Sequence, residues 1–517
     1  MDLELSVHAS ASPASLKPRP KPKLGLRAWM SRVLEECDRA SLAFAADPVH
    51  DLRVAIRRCR SLADGIIPID PDRRWKQLKK NAKKLFSALG DLRDVHVMVE
   101  WVAKLFPADD AVSHAVLAFA RAEEERRKQI AREELDSFDR KAWSQLERAL
   151  PARLSALRPG HIVFKHLALE RWTEAHELHR RAMRSRSAAG LHQARIGIKR
   201  LRYTVENFLP RQHADWGRDL KEMQDLLGEI HDLDVLWHTA LHIHAFPDVD
   251  ARSRWHKTIL EARNQRLDRY RAAMTGRQSL WQRWRSELPT GPQIQSAALN
   301  RLKVWAAFLD SDFQKSQHAA NLSLQLFHGL SAHSLVPAGH ARNLELILEV
   351  AALARDVGRD PGQRVRPKAS ARRLASMRVP LGWSHEDVQL AAAVVRYHYK
   401  RLPAASHTAM RTLALPDRRA VVFLAGILRI ASALDPDCSG RVTQIMVEER
   451  NSQLYLYARG YSASGPMAQE IAAARYLLES ALRRSILVRP LRGPKKAKKS
   501  KHHQSQPLSK PQLRLIA

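Results

Sequence analysis

The chain has 517 residues, 45% of them hydrophobic, with 87 Lys plus Arg against 54 Asp plus Glu. The apolar fraction excludes a largely disordered protein, and the length allows two or three domains with their own cores. A net charge of +33 attracts polyanions, whether nucleic acid, inorganic polyphosphate or an anionic membrane surface.

The first segment, residues 1–25, runs through Ser, Ala and Pro into Lys-Pro-Arg-Pro-Lys-Pro-Lys, and reads as a disordered leader. No apolar stretch follows its charges as a signal peptide requires, and no run anywhere has the length of a membrane span. Cys37, Cys59 and Cys438 form no CxxC pair, which argues against a disulfide framework or a zinc ribbon. The expectation is a soluble, cytoplasmic protein without a cofactor.

Residues 26–288 have helical periodicity and repeat internally, with halves at about 26–150 and 165–288. The first copy of a basic motif reads His50-Asp-Leu-Arg53-Val-Ala-Ile-Arg57-Arg58-Cys59-Arg60, and the second His192-Gln-Ala-Arg195-Ile-Gly-Ile-Lys199-Arg200-Leu-Arg202. On a helix, His50, Arg53, Arg57 and Arg60 fall at i, i+3, i+7 and i+10 and share one face, as do their four counterparts. Like charges so placed repel one another, so a stripe built twice implies an anion to receive. A second stripe, Leu78, Ala82, Leu85 and Leu89, ends in Leu-Gly-Asp-Leu-Arg-Asp-Val (89–95). Its counterpart, Trp216, Leu220, Met223 and Leu227, ends in Leu-Gly-Glu-Ile-His-Asp-Leu-Asp-Val (227–235). Lys80 and Lys83 then match Arg218 and Lys221, and Trp143 matches Trp281. Two similar helical bundles facing one another are predicted. Asp91, Asp94, Glu229 and Asp232 read as partners for arginines or helix junctions. A histidine at a helix start serves packing as readily as phosphate binding, and both roles stay open for His50 and His192.

Residues 289–299 read as a Pro/Gly-interrupted linker. Residues 300–488 read as a second helical domain with a small hairpin at 442–447 and 454–457, where β-branched and aromatic residues flank a polar turn. Residues 489–517, with Lys495, Lys496, Lys498, Lys499 and Lys501, read as a basic disordered tail. The fold class is therefore mainly α.

The doubled motif, with Tyr203 and the two Leu-Gly-acidic segments, resembles the CHAD family of helical domains. The resemblance covers about half the chain and implies inorganic polyphosphate as ligand. The implied binding residues are His50, Arg53, Arg57, Arg58, Arg60, Lys80 and Lys83 in the first half. In the second they are His192, Arg195, Lys199, Arg200, Arg202, Tyr203, Arg218 and Lys221. Cys59 stands where a leucine is usual, and a thiol fills such an apolar site. The second region more weakly resembles the C-terminal, HD-like domain of the Ppx/GppA exopolyphosphatases. That likeness rests on segments 317–327, 351–358, 393–401 and 428–435. The HD metal set would fall on His318, on the pair at 355–356 and on Asp435, but the pair is Arg355-Asp356. Arginine has no lone pair for a metal. The site reads as degenerate and non-catalytic, with Arg355, Lys368, Arg396 and His398 as a second phosphate patch and His318 and Asp356 as hydrogen-bonding core residues.

The leading reading is a non-enzymatic polyphosphate binder, with polyphosphate-granule proteins as further partners. A metal-dependent phosphohydrolase acting through the second domain is the competing reading. A non-specific nucleic-acid binder, effective at low salt, is the third.

Overall fold

The computed structural model describes residues 25–491 except 43, 45, 338–341, 360–365, 437–439 and 463–465. The predicted leader apart from Gly25, the predicted tail beyond Leu491, and Cys438 lie outside the described residues. The chain divides into two units, Met1–Arg301 and Leu302–Ala517. The fold is mainly α, with one small sheet.

The first unit repeats a single helical order. Its first copy comprises α1 (Leu26–Leu42), α2 (Ala46–Ile66), α3 (Arg73–Asn81), α4 (Lys83–Leu105), α5 (Ala111–Asp136) and α6 (Arg140–Ser155). The second comprises α7 (Ile162–Ser185), α8 (Ala188–Phe208), α9 (Pro210–His242), α10 (Val249–Met274) and α11 (Leu280–Ser286). The long α9 does the work of both α3 and α4, which part at Ala82, where the backbone (φ −85°, ψ 6°) leaves the helix. The same side chain begins α5 and α10: Asp110 accepts from the Ser113 amide at 2.7 Å and Asp248 from the Ala251 amide at 2.6 Å. Each satisfies a backbone donor that the first helical turn leaves over.

The copies share a core. Trp101, Val112 and Val116 pack with Leu233, Leu236, Trp255 and Ile259, and the Trp255 indole donates to Asp110 at 2.9 Å across the repeat. The matched tryptophans are both buried. Trp143 donates to the Met30 carbonyl at 3.0 Å, tying α6 to α1, and Trp281 accepts at its carbonyl from Trp172 of α7 at 3.2 Å.

The basic helices α2 and α8 cross where Gly65 admits Phe208. A Cβ on Gly65 would lie 2.1 Å from Phe208 Cε2, and that ring is buried and stacked on Phe164 at 4.4 Å. Gly65→Ala should therefore overpack the crossing, at a cost of roughly 1–3 kcal/mol. A drop of several degrees in the thermal midpoint is expected, and an unchanged midpoint would mean that Phe208 moves aside freely.

The next helix, α12 (Pro292–Ala307), begins within the segment read as a linker, and the division between the units falls inside it. The second unit continues with α13 (Phe313–Ala332), α14 (Leu344–Leu353), α15 (Pro367–Ala375), α16 (His385–Tyr397), α17 (Thr408–Arg411) and α18 (Leu415–Leu434). Strands β1 (Gln444–Arg450) and β2 (Gln453–Arg459), helix α19 (Pro466–Leu482) and strand β3 (Ile486–Pro490) complete it. Helices α18 and α19 approach closely at Gly426, where a Cβ would meet Leu478 at 2.9 Å. The predicted hairpin is present as antiparallel β1–β2, and β3, which the sequence reading did not contain, pairs parallel to β2. The outer edge of β1 is closed by α13: the Gln325 side chain accepts from the Ile445 amide at 2.7 Å, where a further strand would otherwise bind.

Candidate functional site

Periodicity places four basic groups along α2 and four along α8, and the crossing of the helices brings the stripes together. Lys199 lies half-buried among Arg195 and Arg202 of its own helix and Arg53 and Arg57 of α2. Burial first, then these four cations, pushes its ammonium down from 10.5 to about 8. Arg53 is also shifted downward, mainly by burial, with Asp94 pulling the other way.

Among the described residues, Arg53, Arg57, Arg195 and Lys199 make no ion pair. The Nε atoms of Arg53 and Arg57 are enclosed without a hydrogen-bond acceptor. Their sequence neighbours are engaged. Arg58 pairs with Glu206, Arg200 with Glu174 at 2.6 Å, Arg60 donates to the Lys79 carbonyl at 2.7 Å, and Arg202 donates to Gln224 at 3.1 Å. Arg202 also lies over the Tyr203 ring, 5.4 Å from its centroid.

The Leu-Gly-acidic segments explain how two guanidinium groups are seated. A Cβ on Gly90 of α4 would lie 3.7 Å from Arg53 Nη2, and one on Gly228 of α9 would lie 3.6 Å from Arg195 Nε. Each guanidinium thus lies close to a helix backbone at its glycine, at a distance where a β-carbon would be in ordinary van der Waals contact with it. The acidic residues beside them divide. Asp91 pairs with Arg127 at 3.1 Å and Glu229 with Arg266 at 2.6 Å, as read from the sequence. Asp94 and Asp232 face Arg53 and Arg195 without an ion pair. Burial raises both carboxyls, Asp232 to about 6, with Asp94 and Glu229 adding to the rise and Arg195 opposing it. Asp94 is open to solvent even so.

Residues 26–241 match the family model of the CHAD domain. The first unit carries a CHAD domain. A crystal structure of the CHAD domain from the plant Ricinus communis is 21% identical over 50% of this chain and 88% of that one, with a TM-score of 0.32. No curated protein matches the chain. The CHAD match begins with α1 and stops at the end of α9, although α10 and α11 repeat α5 and α6.

The other expected residues of the CHAD domain differ in exposure. His50 is exposed near the start of α2, and Lys80, Lys83, Arg218 and Lys221 are exposed, Lys221 pairing with Asp225 at 2.7 Å. His192 is half-buried, with Nδ1 enclosed and without a hydrogen-bond partner, and its ring lies 4.8 Å from that of His231. His231 is shifted downward by burial, then by Arg195 and His192. Both rings line a cavity of about 810 Å³ with Phe119, His238 and His242. Sequence reasoning missed His231 and its counterpart Arg93, which also faces Arg53. The signal was a basic residue before the second acid in both Leu-Gly-acidic segments.

In the second unit, His318 Nε2 and Asp435 Oδ2 are 3.0 Å apart. Asp356 is held by Arg355, with Nε and Oδ2 at 3.2 Å, while Arg355 Nη1 donates to Ser432 at 2.8 Å. Buried His398 hydrogen-bonds the Val395 carbonyl at 2.6 Å. Burial pulls its imidazole down to about 4, with Asp356 opposing and Arg355 and Arg429 reinforcing. Among the described residues no group of three or more His, Cys, Asp or Glu is arranged to hold a metal ion. The four residues read as a second phosphate patch do not share a surface. Arg355 and His398 are buried together, Lys368 is exposed on α15, and Arg396 lies half-buried over Tyr397 beside Arg401. Burial of an arginine beside an aspartate explains the difference: Arg355 neutralises Asp356 in the core instead of facing solvent. No helix among the described residues is long and apolar enough to cross a membrane.

Proposed function

We propose that the CHAD domain binds inorganic polyphosphate without catalysing a reaction on it. The observation that carries this reading is the meeting of Arg53, Arg57, Arg195 and Lys199 from the two repeats, none of them in an ion pair among the described residues. Gathering and part-burying unpaired cations is unfavourable in the free protein. A flexible chain with about one negative charge per phosphate would relieve that repulsion. Arginine forks grip phosphate oxygens in pairs, and a lysine adds a point charge. The resemblance of the doubled motif to polyphosphate-associated domains supports the same ligand. Such binding would hold the protein at cytoplasmic polyphosphate granules. The test is competition at physiological salt: labelled long-chain polyphosphate bound to the protein is challenged with excess duplex DNA. Retention is expected. Displacement in proportion to added DNA phosphate would reduce the stripes to a generic positive surface.

A second reading, a metal-dependent phosphohydrolase, rests on the weak sequence resemblance of the second unit to the Ppx/GppA C-terminal domain together with the proximity of His318 and Asp435. Arg355 opposes it by occupying Asp356. The full chain incubated with Mg²⁺ or Mn²⁺ and polyphosphate is expected to release no phosphate. Sustained release that follows protein concentration would overturn the non-catalytic reading.

A further inference from the structure

The sheet of the second unit has two unlike faces. Its register places Ile445, Leu454, Leu456, Ala458 and Ile486 on one side, all buried. On the other side Tyr457 stands between Met446 and Arg489, Tyr455 stands between Glu448 and Leu487, and Gln444 stands opposite Arg459. The Tyr455 and Tyr457 rings are nearly parallel, 17° apart in plane with centroids 6.3 Å apart, and both are partly exposed. Met446 is 49% exposed, and Arg459 and Arg489 are exposed. Among the described residues neither arginine makes an ion pair, whereas Arg450 on the same face is paired with Glu448 at 2.7 Å. Beyond Tyr457 the face runs into a groove of about 680 Å³, which Gln444, Met446 and Arg459 share with Gln325 and His328 of α13.

We infer that this face binds single-stranded nucleic acid, with bases stacking on Tyr455 and Tyr457 and the backbone phosphates meeting Arg459 and Arg489. Adjacent aromatic rings, with free cations beside Tyr457 and with the Glu448 beside Tyr455 paired to Arg450, suit a polymer that alternates flat rings with negative charges. Inorganic polyphosphate has no ring and would gain nothing from the tyrosines. A protein strand added to the sheet would use its edges, not this face, and α13 already closes the edge at β1. The inference is independent of the polyphosphate reading, which concerns the other unit.

The test uses the full chain and a fluorescently labelled oligoadenylate RNA, with an abasic strand of equal length as the control for charge alone. Salt is raised until the abasic strand binds weakly, which suppresses sequence-independent attraction. The double variant Y455L/Y457L should lose roughly tenfold or more in oligoadenylate affinity, while Y455F/Y457F, which keeps the rings, should bind as the parent does. Polyphosphate affinity should be unchanged in both. An independent variant, R459Q/R489Q, should also weaken oligoadenylate binding, and it leaves the tyrosines in place should the leucine variant fail to fold. The inference is overturned if the folded leucine variant binds oligoadenylate normally, or if the abasic strand binds as tightly as the RNA. It is equally overturned if polyphosphate affinity falls instead, which would give the face to that polymer.

Discussion

Replacing Arg53, Arg57, Arg195 and Lys199 together by alanine should lower polyphosphate affinity by about a hundredfold or more while leaving the thermal midpoint unchanged or raised. A hydrogen bond to a charged partner contributes about 1.5–3 kcal/mol, and each 1.4 kcal/mol is about tenfold in affinity. Even a partial loss over four positions therefore exceeds two decades, short of strict additivity. The stability half of the expectation comes from the free protein. Among the described residues these cations make no ion pair, and Lys199 is disfavoured by all four of its cationic neighbours. Their removal relieves repulsion and loses no ion pair. Arg58 provides the contrast, because Arg58→Ala strands part-buried Glu206 without its closest partner. That variant should lose roughly 1–3 kcal/mol of stability with a smaller loss of affinity. Isothermal titration and thermal melts on the same preparations separate the two patterns. A folded quadruple variant that binds polyphosphate like the parent would refute the stripe as the binding surface.

The second large effect is proton uptake on binding. In the free protein Lys199 titrates at about 8, so above that pH it is largely neutral. A polyanion beside it favours the charged form and returns it toward its ordinary range near 10.5. Binding between about pH 8 and 10 should therefore draw close to one proton from solvent, and affinity should fall as pH rises through that window. Titration calorimetry in two buffers of different ionisation heat measures the uptake. Lys199→Arg should abolish it, since guanidinium stays protonated throughout. Uptake that persists in that variant would assign the proton to another group. The stability of the free protein follows with a definite sign. Lys199 binds its proton less tightly folded than unfolded, so its charged form costs stability below pH 8. That cost disappears as pH rises from about 8 toward 10.5. The stability difference between the parent and Lys199→Met should accordingly narrow over the same interval.

Much of the first unit was legible from residue spacing. The basic stripes, the duplication and the matched Trp143 and Trp281 depend on helical period, a local property that the chain order carries directly. The hairpin in the second unit was legible for a similar reason, since its two strands flank a turn. Strand β3 was not, because 486–490 is a short run whose extended form depends on pairing with β2, beyond the whole of α19. The burial of Arg355 and His398 was not legible, because both look like surface cations in sequence and only the packing encloses them.

What the sequence determined by itself is that two basic helical faces exist, because i, i+3 and i+7 neighbours share a face in any helix. Which of those cations are free to take a ligand was decided by the tertiary structure alone. Adjacent Arg57 and Arg58 differ because Glu206, far along the chain, reaches one and not the other. Lys199 has its lowered proton affinity first because the packing buries it, with Arg195 of its own helix and then Arg53 and Arg57 of α2 adding to the fall. Periodicity is a short-range consequence of backbone geometry, whereas ion pairing and burial are set by which distant segments fold against one another.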